Sequence, residues 1–270
     1  FVDLTADLVP LGEVPPAAEG EFGLIVRDDG TAEEVTVPFT DAGDNLSHMI
    51  IEGSVDAGGR FDGTITRRVS GMMQYELRSH FARSFAERER REMAHSMASA
   101  VFDNASGDSL EIFDGRALQA EPRIRLHATA ERVLKPAAQG RIFMLPLPNY
   151  ASFDLIAQLE REEERRFPFD AASVIGPREM VSEVRLRLPE GWKAELPDPV
   201  RAESAYGVYE SRYEQSGRDL LVCRRIRGTR EVLPPEQGKT ELIDWLRRIG
   251  DDDVDFIVLQ PAPETRAAQS

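Results

Sequence analysis

Apolar and polar positions alternate with period two along much of this chain, and the alternating runs are separated by Asp-Gly, Gly-Gly and Ser-Gly pairs. That combination predicts antiparallel strands joined by tight turns. Residues 22–27 form an apolar run, Asp29-Gly30 follows, and Val35, Val37 and Phe39 then alternate with polar residues or proline. This predicts a hairpin, because both central positions of such a turn must accept positive φ. A second hairpin is predicted from His48 to Val55, through Asp56-Ala57-Gly58-Gly59, and back from Phe61 to Val69. Phe61, Ile65 and Val69 share one face of its return strand.

The period changes at Gly71. Met73, Leu77, Phe81 and Phe85 recur every four residues, and Met93, Met97 and Val101 resume that spacing after the charged stretch Glu87 to Glu92. The stripe predicts one long amphipathic helix or two helices broken near the charges, packed on a core. Asn104, Gly107 and Asp108 are expected to end it.

Strand character then returns. Ile124, Leu126, Ala128 and Ala130 point one way, and Arg123, Arg125, His127 and Thr129 the other. Ser152 is placed to cap a helix through Leu155, Ile156 and Leu159 into the charge run Glu160 to Arg166, which Pro168 ends. Met180, Val184, Leu186 and Leu188 share a face opposite Arg185 and Arg187, and Pro189-Glu190-Gly191 turns the chain at Trp192. Tyr206 to Tyr213 and Leu220 to Ile226 flank Gln215-Ser216-Gly217-Arg218 and predict a further hairpin. Leu242, Leu246 and Ile249 predict a short helix closed by Gly250, then a last strand from Val254 to Leu259 and a polar tail from Pro261.

Composition narrows the function classes. With 41% hydrophobic and 30% charged residues over 270 positions, the chain can bury a real core and carries no run long and apolar enough to span a bilayer. Its 33 basic against 48 acidic residues give a net charge of −15, which repels phosphate backbones and anionic membranes, so neither nucleic acid nor membrane insertion is expected. The chain opens at Phe1, directly in apolar sequence, and reads as a truncated or proteolysed product, so the lack of a secretory leader says nothing of the parent's address.

The candidate chemistry is sparse. One cysteine, Cys223, rules out an intramolecular disulfide, and its place inside an apparent strand does not suit a nucleophile that needs a helix N-terminus. None of His48, His80, His95 and His127 has metal-ligand spacing, and each is expected at the surface. Asp251-Asp252-Asp253 lacks the spaced ligands of a calcium loop and reads as a solvated acidic turn. No phosphate-binding loop, dinucleotide fingerprint or Gly-x-Ser-x-Gly elbow occurs, so no cofactor and no metal is expected.

The most informative residues open the chain: Phe1-Val2-Asp3-Leu4-Thr5-Ala6, then Leu11-Gly12-Glu13-Val14-Pro15, then Gly20-Glu21-Phe22-Gly23-Leu24-Ile25-Val26. This succession resembles the end of the catalytic core in bacterial transglutaminase-like proteins flanked by domains of unknown function. In that family an Asp-x-Thr run carries the third member of a Cys-His-Asp triad, so the resemblance implies Asp3 as the triad aspartate and Thr5 as its motif partner. Gly58 to Arg78 and Arg166 to Pro197, with Leu188-Pro189-Glu190-Gly191-Trp192, resemble later parts of the same proteins. The family's cysteine and histidine precede the Asp-x-Thr run, and nothing here corresponds to them. An aspartate without its imidazole cannot support triad chemistry. The bland alternative makes Asp3-Leu4-Thr5 a strand-end turn.

The expected fold is α+β, predominantly antiparallel β in sandwich-like modules, with an amphipathic helix or helical pair near 72–102. The expected organisation is a remnant of a transglutaminase-like core over 1–20, a β-rich module over 21–150 and a second over 151–265. The function implied is that of a non-catalytic accessory module of a cysteine acyltransferase or peptidase, partnered by its upstream core and by peptide or protein, in a parent exported to the bacterial periplasm or envelope. A free-standing β-sandwich binding module for peptide or glycan is the alternative, and it requires exposed aromatics such as Tyr209 and Tyr213. An acid/base hydrolase draws no support, because 48 acidic residues make carboxylate pairs too easy to propose.

Overall fold

The computed structural model describes residues 8–10, 12–14, 18–138, 140–151, 153–161, 167–170, 178–229, 232–233 and 239–261. The first half holds β1 (Phe22–Val26), β2 (Ala32–Thr36), β3 (Leu46–Val55), β4 (Phe61–Val69), α1 (Met73–Phe81), α2 (Glu87–Ser99), β5 (Ala105–Ile112), β6 (Arg123–Ala130), β7 (Leu134–Ala137) and β8 (Gly140–Met144). The second holds α3 (Phe153–Arg161), β9 (Phe169–Asp170), β10 (Glu179–Arg187), β11 (Trp192–Glu195), β12 (Arg201–Ser204), β13 (Gly207–Ser216), β14 (Asp219–Gly228), β15 (Val232–Leu233), α4 (Lys239–Asp253) and β16 (Phe256–Pro261).

The fold is α+β with mostly antiparallel strands. Its centre is an eight-stranded sheet in the order β12-β13-β14-β10-β3-β4-β6-β5. Residues before 150 supply four of these strands and residues after 150 the other four, and the two sets meet at the parallel pair β3 and β10, where Ile51 faces Val184. A four-stranded sheet, β11-β16-β8-β7, forms a second layer.

One face of the large sheet makes the core. Ile51, Ile65, Leu126, Val184 and Val222 lie along it in register and are almost wholly buried. Each such side chain contributes about 1.5–3 kcal/mol when removed from water. Two clusters cover this face. One joins the sheet to α2 and to Leu134, Phe143, Ile257 and Leu259 of the small sheet. The other joins Tyr209 and Ile226 to Ile156 of α3 and to Leu242, Trp245, Leu246 and Ile249 of α4.

Several expectations are refined. The hydrophobic stripe becomes two helices, with the break at Ala82–Ala86 directly before the charge run. Glu87 and Glu89 stand in the first turn of α2, where acidic side chains complement the helix dipole, and the Glu89 carboxylate accepts the Ala86 N–H at 2.8 Å. The helical stretch ends earlier than expected, at Ser99 with Ala100 as its cap; Asn104, at φ 57°, lies in the turn that follows, and Gly107 and Asp108 lie within strand β5. The register slips between Gly107 and Ser109, so a bulge disguises the strand's alternation. Gly107 is required there, because a Cβ would stand 2.3 Å from the Ala94 carbonyl oxygen of α2. Gly250 does not close α4, which runs on to Asp253.

Candidate functional site

Asp3 and Thr5, the residues the triad resemblance singles out, lie outside the described residues. Tyr209 and Tyr213 are 0% and 7% exposed and so offer no stacking platform to a sugar. They belong instead to a buried polar network beneath α4. The Tyr209 hydroxyl donates to Asp252 Oδ2, and Asp252 Oδ1 accepts from Ser211 Oγ at 2.9 Å and Tyr213 OH at 2.8 Å. Arg224 completes the network: its Nε lies 3.2 Å from Asp252 Oδ2, and its Nη1 donates to the Asp253 carbonyl at 3.3 Å. Asp253 reaches the other way and accepts the Tyr150 and Ala151 backbone N–H groups at 2.6 and 2.9 Å.

The acidic run 251–253 is therefore not a solvated turn. Asp251 is exposed, but Asp252 and Asp253 are buried in the last turn of α4. Burial pushes the Asp253 carboxyl above its ordinary value, against the downward pull of the Ala151 N–H and Arg224. Burial likewise pushes the Tyr213 hydroxyl up to about 12, so it stays a proton donor to Asp252. The network ties α4 to β13 and β14, and through Asp253 it fixes the chain at 150–151.

The other face of the large sheet has no covering element among the described residues. It floors an open groove of about 1540 Å³ across β13, β14, β10 and β3. Side chains that alternate with the core residues line it, including the arginines at 185, 187, 212 and 225 and the glutamates at 52 and 183. Charges pair across strands here: Glu183 lies 3.0 Å from His48 Nε2 and also binds Arg185, while Arg225 Nη2 lies 2.6 Å from Glu179. The glutamates of these pairs are partly or largely buried, 16% exposed for Glu183 and 8% for Glu179, while their arginines are about half exposed.

Cys223 is half-buried in β14, opposite Glu183 and Arg212 in register. Burial and then Glu183 push its thiol above its ordinary pKa. A nucleophilic cysteine needs the opposite shift. His127 bridges Asp108 and Asp62, Nδ1 at 3.0 Å and Nε2 at 3.2 Å. His48 is half-buried against Glu183, whereas His80 packs edge-on against Phe81 at 4.8 Å between ring centroids. Among the described residues no group of histidine, cysteine or carboxylates is placed to hold a metal ion.

Arg224 is the residue whose role is not apparent from the sequence, although a signal exists. It occupies an inward phase of the alternation Leu220, Val222, Arg224, Ile226, and a cation there needs a buried anion.

The chain carries a domain of the family DUF3858, a domain of unknown function with a solved structure, over residues 140–252. That span runs from β8 into α4 and includes Tyr209, Ser211, Tyr213, Arg224 and Asp252 of the buried network. No curated protein and no solved structure matches the chain.

Proposed function

We propose that this chain is a non-catalytic accessory module of a bacterial transglutaminase-like cysteine acyltransferase or peptidase, holding a partner or protein substrate beside the catalytic core. The observation that carries the reading is the DUF3858 domain at 140–252, because this family is often found alongside transglutaminase-like proteins. The resemblance around Asp3-Leu4-Thr5 agrees with it, as does a cysteine whose thiol is held protonated. The hairpin β1–β2 adds a point of attachment. It pairs with no other described strand, and it exposes Phe22 at 70%, Leu24 at 53% and Val26 at 69%. Exposed apolar side chains on a two-stranded hairpin favour a covering partner.

The test begins with the gene sequence encoding residues before Phe1. A cysteine followed by a histidine in a transglutaminase-like core is expected there. That upstream segment, produced as a separate polypeptide, should associate with this chain in sedimentation or calorimetry. Phe22→Asp with Val26→Asp should weaken association at least tenfold. No such core upstream, or no association between the two pieces, overturns the reading. If the core is absent, a module that binds peptide on the charged sheet face is the better reading, since the buried tyrosines argue against a glycan.

A further inference from the structure

The core face of the large sheet is not covered throughout. The α2 and small-sheet layer covers one side and α3 with α4 the other, and a cleft of about 720 Å³ opens over the sheet between the C-terminal end of α2 and the segment 145–150. Met49 of β3 and Met180 of β10 form its floor, Met97 and Val101 one wall, and Leu145 and Leu147 the other. Its size is that of a small-molecule pocket, and its walls are apolar and flexible, as methionine-rich surfaces are.

The cleft is polar at one end only. Arg67 stands two residues before the end of β4, and Arg178 immediately precedes β10. Because β3 and β10 run parallel and β4 antiparallel to β3, both arginines fall at the same end of the sheet. Met49 pairs with Arg67 and Met180 with Ser47, which fixes this order on the floor. At the inner end stand Ile65 and Leu126, 4% and 1% exposed. No aspartate or glutamate lines the cleft among the described residues, in a chain where 48 of 270 residues are acidic. Arg67 is exposed and forms no ion pair among the described residues. Tyr150 closes part of the rim: its hydroxyl and Ser182 Oγ are 2.8 Å apart, and its backbone N–H is held by Asp253.

We infer that this cleft binds a small carboxylate with a linear apolar body, its anionic head on Arg67 and its tail directed toward Ile65 and Leu126. Charge complementarity selects the head, since an uncharged alcohol of the same length would leave the guanidinium of Arg67 without an anion. The apolar walls select the tail, because each methylene withdrawn from water strengthens binding about fourfold. The site does not depend on the accessory-module reading and would stand if that reading failed.

Decanoate, kept below its micelle-forming concentration, is the probe. Titration calorimetry on the whole chain is expected to show saturable binding at one site. Hexanoate and decanol should each bind at least tenfold more weakly than decanoate. Arg67→Gln, at an exposed position that leaves the melting temperature unchanged, should weaken decanoate at least fivefold and leave decanol unaffected. Methionine methyl resonances should report the location, with Met49, Met97 and Met180 shifting on saturation. The inference is overturned if decanoate does not saturate, if decanol binds equally well, or if the shifted methionines lie elsewhere.

Discussion

Arg224 Nε and Asp252 Oδ2 meet at 3.2 Å across the contact between β14 and α4, with side chains 1% and 0% exposed. The same guanidinium donates to the backbone carbonyls of Asp252 and Asp253. It thereby caps a helix whose last three residues, Asp251 to Asp253, carry the charge that the negative end of a helix dipole disfavours. The arginine thus answers two anionic features at once, the buried carboxylate and the helix C-terminus.

Arg224→Met is expected to destabilise the protein by about 3–5 kcal/mol, because it leaves the Asp252 charge buried without its cation. Adding Asp252→Asn should recover part of that loss, since Tyr213 and Ser211 can still donate to an amide oxygen at the Oδ1 position. Urea unfolding of both single variants and the double variant measures the coupling. A loss below 1 kcal/mol for Arg224→Met would show that the pair is not buried as described.

A pH effect is expected at His127. Burial disfavours its imidazolium, but the hydrogen bonds with Asp108 and Asp62 outweigh burial and raise the pKa above 6.5. A raised histidine pKa means that the native state binds more protons than the unfolded state between the two values. The stabilisation is therefore complete below 6.5 and is lost as pH rises through the folded pKa. The ring is partly exposed, so the effect on stability is small, and NMR titration of the imidazole is the direct readout. Asp108→Asn and Asp62→Asn should each bring the His127 pKa down, and an unchanged titration in both would refute the bridging geometry.

The sheet strands were legible where turn chemistry and period two coincided. Gly30 at φ 83° and Gly59 at φ 87° mark the first two hairpin turns, and Gly217 at φ 58° marks the last. The helical pair was legible from its four-residue stripe. Strand β5 was not, because its bulge at Gly107–Asp108 places two turn-forming residues inside a strand. Short strands such as β7, β8 and β12 have too few residues to show a period. Arg224 and Asp252 were unreadable as a pair, because the contact spans 28 residues of sequence and the inward phase of Arg224 calls for a buried anion without saying which one. The apolar cleft was equally hidden, since its methionines read individually as ordinary core residues.

Gly107→Ala tests how closely α2 lies on β5. The added methyl would meet the Ala94 carbonyl oxygen at 2.3 Å and the Ala94 carbonyl carbon at 2.6 Å, both backbone atoms that cannot turn aside. Such overpacking is expected to cost about 1–3 kcal/mol. Gly217→Ala is a useful comparison, because nothing lies within 4 Å there and only the positive φ opposes the side chain. Thermal unfolding should rank Gly107→Ala as the more destabilised variant, and the reverse order would mean that the helix stands farther from the strand.

Cys223 provides the last test, because its reactivity separates a structural thiol from a nucleophile. Its position half-buried in β14 opposite Glu183 raises the thiol pKa, through burial first and the glutamate second. The thiolate is the reacting species, so alkylation by iodoacetamide at pH 7 should be slower than for an unstructured thiol and should accelerate only in alkaline solution. Glu183→Gln removes the nearest anion and should increase the rate at pH 7, whereas Arg212→Gln removes a cation that favours the thiolate and should decrease it. Mass spectrometry of the alkylated peptide gives these rates directly. Rapid labelling of the unaltered protein at pH 7 would contradict the raised pKa and reopen a nucleophilic role for this cysteine.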